Sequence, residues 1–204
     1  MCQEVYELVQ EIGMEKLDLQ IVLQCAPLSA GLKASNLLIT KPANKAMIQA
    51  IFAKSGISWF RLEETRERLV LLVFRKEALE QSLSQKAVQE MMAGFGYETT
   101  SLGKVLMRFR KNYAHYRAGR LGFPHEMGLL LDYPTEDVEG FIKSRGKDFL
   151  YSGYWKVYGN VPYKLRLFQK FDLAERKFTR MLKEGAGIAE VIQNCKTELQ
   201  KAAV

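Results

Sequence analysis

The sequence predicts an α+β fold, a small and largely antiparallel sheet packed with several helices in a single domain. Three observations predict it. Apolar residues recur at helical spacing over most of the chain, and only a few short segments carry the β-branched and aromatic content of strands. Those segments are interspersed among the helices without the regular alternation that builds a parallel sheet. With 204 residues, 48% of them hydrophobic and 26% charged, the chain is long enough to bury a sizeable core without help from metals or disulfides.

The elements follow in order. Val5, Leu8, Val9 and Ile12 mark a first helix that Gly13 ends. A second helix is expected over residues 15–25, stopping before Pro27, and Gly31 marks a turn. Residues 35–40 (SNLLIT) suit a short buried strand, and Pro42 suits the first turn of a helix with Ala46, Met47, Ala50 and Ile51 inward. Residues 57–62 and 68–74 read as a hairpin joined by the charged segment 63–67. Ser84 is an expected N-cap for a helix burying Val88, Met91, Met92 and Phe95, closed by Gly94 and Gly96. Leu102, Val105, Leu106, Phe109, Tyr113 and Tyr116 form one stripe of a long helix ending near Gly119. Two short helices, 124–131 and 134–143, flank a turn at Asp132 and Tyr133; 153–158 reads as a strand. Residues 162–201 read as helical, interrupted at Gly185 and Gly187.

Charge is uneven. Of the net +7, residues 1–98 contribute −1 and residues 99–204 contribute +8, which points to an acidic partner. Glu4, Glu7 and Glu11 stand where a secretory signal has basic residues and an apolar run, and the longest apolar stretch, 69–74, is too short to span a bilayer. A cytoplasmic location without membrane association is expected. Cys2, Cys25 and Cys195 are widely spaced, so reduced thiols are expected, with no metal site and no covalent cofactor motif.

Three stretches, CAPLSAGLK at 25–33, FPHEMGLLLDYPTEDVEGF at 123–141 and GYWKVY at 153–158, together resemble the bacterial family known as domain of unknown function 3793, found mostly in Firmicutes. The resemblance spans about residues 20–175, which leaves 176–204 as a C-terminal helical extension. It implies a bacterial protein but brings no established activity. Gln24 stands where members of that family often have histidine, Ala34 where proline is common, and Asp132 where the turn has glycine.

Four constellations are chemically suggestive. Cys25 and His125, with Glu126 to orient the ring, have the composition of a thiolate–imidazole pair; the alternative is a small buried cysteine and a histidine at a helix start. Lys104, Arg108, Lys111 and His115 follow the spacing of one helix face, with Arg110, Arg117 and Arg120 nearby, and suit either phosphate binding or a solvated face. Residues 124–145 have a helix–turn–helix outline, with Val138 and Ile142 as core positions. Five acids and no base within 126–139 argue against reading DNA with that unit. In 153–158, alternation places Tyr154, Lys156 and Tyr158 on one face and Trp155 and Val157 on the core face; this aromatic strand suits either a stacking wall for a flat ligand, with the Tyr–Lys–Tyr face bordering a pocket, or core packing.

The leading functional expectation is recognition of a small anionic, phosphate-bearing ligand in a cleft lined by Lys33, His125, Lys156 and the basic helix. The alternatives are a module binding protein or nucleic acid through its basic second half, and a Cys/His-dependent enzyme.

Overall fold

Residues 69–74, LVLLVF, carry no polar side chain on either face, so they form a strand only where both faces are covered. A computed structural model, which describes residues 3–13, 16–98 and 101–194, places them there. The fold is α+β, and the chain divides into two compact units: residues 1–75 with 169–204, and residues 76–168.

In the first unit β1 (Ser35–Thr40), β2 (Ser58–Glu64) and β3 (Leu69–Phe74) form an antiparallel sheet in the order β1-β3-β2, with every residue of β3 buried. The hairpin is longer than the sequence predicts. A register shift between Arg61 and Glu63 carries β2 on to Glu64, and the turn is closed by Thr65, whose amide donates to Arg68 O. Around the sheet lie α1 (Gln3–Ile12), α2 (Leu17–Ser29), a 3-10 turn (Pro42–Asn44) and α3 (Lys45–Phe52). Ile21, Cys25, Leu38, Ile48, Leu71 and Val73 share one core with Phe178, Val191 and Ile192.

α2 passes the expected stop at Pro27. Its apolar residues surround the helix, so burial favours continuing it. The last carbonyls also find partners: Leu32 N donates to Pro27 O, Arg75 Nε to Leu28 O and Arg75 Nη2 to Ser29 O.

The second unit holds α4 (Lys76–Ser84), α5 (Lys86–Gly94), α6 (Leu102–Arg117), α7 (Glu126–Leu130) and α8 (Thr135–Lys143), with a two-stranded hairpin of β4 (Tyr151–Ser152) and β5 (Lys156–Val157). Ser84 is not an N-cap. It ends α4, donates to Gln81 O, and leaves Gln85 in the N-cap position of α5. The expected strand 153–158 is a tight hairpin instead, because the chain folds back at Gly153, whose amide donates to Trp155 O. A Cβ on Gly153 would lie 2.5 Å from the Phe168 ring, so only glycine fits the turn.

α9 (Val161–Lys183) begins in the second unit and continues into the first, followed by a helical stretch over residues 188–194. The residues that would extend that stretch to 201, like Cys2 and Cys195, lie outside those described. Among the described residues no helix is long and apolar enough to cross a membrane.

Candidate ligand-binding site

The segment 123–141 folds into the loop before α7, α7 itself, a turn and α8. Met127 N donates to Pro124 O and Gly128 N to His125 O, which starts the short helix. Asp132 ends it with φ +60, a left-handed conformation that glycine adopts most easily and aspartate tolerates, and Ser82 Oγ donates to its carboxylate at 2.8 Å. The sequence thus keeps the turn without the glycine. Gly128 then meets α8 closely, since a Cβ there would lie 2.8 Å from Val138.

This geometry opens a cavity of about 280 Å³ in the second unit. Phe123, His125 and Phe141 form one wall, with ring centroids 5.4–6.5 Å apart. Tyr133 stacks on Trp155 at 4.8 Å and 26° to form another, joined by Tyr154. Met127, Gly128, Leu131 and Val138 complete the apolar surface; Asp137 and Lys156 supply the charges. Every lining residue belongs to 123–141 or 153–158.

Asp137 holds the Trp155 side in place. One carboxylate oxygen accepts from Trp155 Nε1 at 2.8 Å and lies 3.4 Å from Lys164 Nζ; the other accepts from Tyr158 N and Gly159 N. Asp137 and Lys164 are 2% and 1% exposed, so their charges are compensated inside the fold. Lys164 also bonds Glu136 and Gly159 O.

Of the residues singled out from sequence, His125, Tyr154 and Lys156 line this cavity. Glu126 does not orient His125. It is buried, and its Oε1 accepts from Tyr97 Oη and Asn112 Nδ2, each at 2.9 Å. Burial, and then the Glu126 charge, raise the Tyr97 phenol above its ordinary range. Tyr158 turns away from the cavity and packs its ring against Gly140 of α8, where a Cβ would lie 2.4 Å from it.

Cys25 is fully buried, and its thiol donates weakly to Leu37 O at 4.0 Å. Burial pushes that thiol up to about 12, against a smaller opposing pull from Lys33, so it is protonated at neutral pH and unsuited to nucleophilic attack. Its place is explained by the outer edge of β1. Gln24 Nε2 donates to Ile39 O at 3.0 Å and Gln24 Oε1 accepts from Ile39 N at 2.8 Å. Gln24 and Cys25 together occupy strand groups that would otherwise be unpaired. Lys33 is buried and donates to Asn36 Oδ1 at 2.6 Å.

On α6, Lys104, Arg108 and Lys111 are exposed and His115 is half-buried, and none of them lines the cavity. Arg108 lies over the Tyr97 ring, 5.1 Å from its centroid. Among the described residues no group of three or more His, Cys, Asp or Glu side chains is placed to hold a metal ion.

Phe123, Tyr133, Phe141 and Asp137 are not singled out for the site by the sequence, and alternation puts Trp155 on the core face of a strand that also suits a stacking wall. The available signal was the recurrence of aromatic residues through a segment otherwise rich in acids.

Fold and cavity together define an α+β protein with an aromatic-walled hollow built from two of its sequence motifs. The chain belongs to the family described as "Protein of unknown function (DUF3793)", whose model matches residues 21–192. No curated protein and no solved structure matches it.

Proposed function

We propose that this protein binds a small, flat organic molecule in the cavity of its second unit, with rings on either side of the ligand. The observation that carries this reading is the 280 Å³ hollow between the Phe123–His125–Phe141 wall and the Tyr133–Trp155 pair. Mainly apolar linings with a few polar groups are the usual composition of small-molecule sites. A cavity of roughly 150 Å³ accommodates benzene, so this one suits a bicyclic ring or a single ring with a short substituent. This shifts the expected ligand from a phosphate-rich molecule to an aromatic one, because the cationic helix α6 contributes nothing to the lining. A bacterial, cytoplasmic setting fits the free thiol of Cys25.

The test uses Trp155 as its own reporter. With Trp59 replaced by phenylalanine, titration with indole, adenine, benzoate and nicotinate should give a saturable change in emission for at least one ring compound. Unchanged emission with all four at millimolar concentration would refute the reading.

A second reading rests on a different observation, the exposed row of Lys104, Arg108 and Lys111 on α6. A module binding nucleic acid or an acidic protein through that face would show affinity falling steeply with salt and lost in the triple alanine variant. Salt-insensitive binding, or none to a mixed-sequence oligonucleotide, would remove it.

A further inference from the structure

Lys156 is the one lysine or arginine in the lining. Its Nζ donates to Gly146 O at 2.7 Å and lies 4.9 Å from the Phe149 centroid and 5.8 Å from that of Phe141. Among the described residues it forms no ion pair. The one carboxylate in the lining, Asp137, is already committed to Trp155, Tyr158, Gly159 and Lys164. An ammonium has three protons, and Gly146 O takes one. The half-buried cation is held at the cavity wall by a backbone carbonyl and two ring faces.

We infer that the ligand is a planar aromatic monocarboxylate, its ring between the Phe141 and Trp155 walls and its carboxylate on Lys156. This rests on the aromatic-ligand reading above and deepens it. A monoanion matches one ammonium. A phosphate ester carries up to two charges and three strong acceptor oxygens, and the lining holds no arginine and only one lysine for them.

Calorimetric titration of the whole protein with matched probes tests this: indole-3-carboxylate, indole-3-carboxamide and phenyl phosphate, against wild type and K156M, which keeps the apolar stem. The carboxylate should bind wild type about tenfold or more tightly than the amide, as a charge-assisted hydrogen bond allows. K156M should abolish that preference while leaving amide affinity within about twofold. Equal binding of carboxylate and amide to wild type would overturn the monocarboxylate assignment and leave the aromatic site standing. Tighter binding of phenyl phosphate than of the carboxylate would also overturn it. Failure of all three probes would instead overturn the aromatic site itself.

Discussion

Replacing Asp137 by alanine tests whether the Trp155 wall is held electrostatically. The carboxylate accepts from Trp155 Nε1 and Tyr158 N at 2.8 Å and from Gly159 N at 3.3 Å, and it lies 3.4 Å from Lys164 Nζ. Removing it strips partners from the indole and two backbone amides and leaves Lys164, 1% exposed, with Glu136 and Gly159 O alone. Breaking a buried pair from one side costs about 3–5 kcal/mol. Because Glu136 retains part of the compensation, the lower end, about 3 kcal/mol, is expected. For a chain of this length that lowers Tm by roughly 6–12 °C. Urea denaturation followed by circular dichroism reads the loss, and Trp155 emission should shift with it. D137A/K164M should recover only part of the loss, since it removes the uncompensated Lys164 charge but leaves Trp155 Nε1 and the Tyr158 and Gly159 amides without their acceptor. K143A, which removes an exposed pair with Glu139, is the control and should cost less than about 0.5 kcal/mol. A D137A protein within about 0.5 kcal/mol of wild type would refute the reasoning.

Gly140→Ala should destabilise by about 1–3 kcal/mol by pressing on Tyr158, whereas Gly103→Ala on α6, whose Cβ would make only an ordinary contact with Ser101 Oγ at 3.8 Å, should stabilise by up to about 1 kcal/mol; two changes of the same sign in urea titrations would contradict the packing described. Cys25 should resist iodoacetamide in the native state at pH 7 and react on unfolding, and rapid native labelling would contradict its burial. Its thiol ionises near 9.0 when unconstrained and at about 12 in the fold, so its contribution to stability is complete below about pH 9. That contribution is lost as pH rises toward 12. Cys25→Ala should flatten that alkaline decline, measured by denaturation at pH 8 and pH 10. Gln24→Ala should cost about 1 kcal/mol by releasing Ile39 N–H and C=O at the sheet edge, and an unchanged urea midpoint would show that water satisfies them equally well.

The elements legible in the sequence were those with one dominant physical cause. β3 announces itself because six consecutive apolar residues need two covered faces, and α6 because its buried stripe and its cationic face follow one period. Elements decided by tertiary contacts were not legible. α2 runs through Pro27 because Arg75, far along the chain, caps its carbonyls. β5 is two residues long because Phe168 packs on Gly153 and favours a turn there. The site divides the same way. His125, Tyr154 and Lys156 were found because polar and aromatic side chains stood close in unusual motifs. Alternation places Tyr158 with them, but β5 ends at Val157 and the Tyr158 amide is held by Asp137 where the chain leaves the strand. Cys25 and Glu126 looked reactive because residue type reports chemistry but not burial, and burial commits one to the sheet edge and the other to Tyr97 and Asn112.

The most direct measurement is a crystal soaked with 4-iodobenzoate and examined by anomalous scattering. One iodine peak is expected between the Phe141 and Trp155 side chains, with the carboxylate within hydrogen-bonding distance of Lys156 Nζ. A well-diffracting soaked crystal whose cavity holds no iodine, or holds it with the carboxylate turned away from Lys156, would contradict the monocarboxylate site.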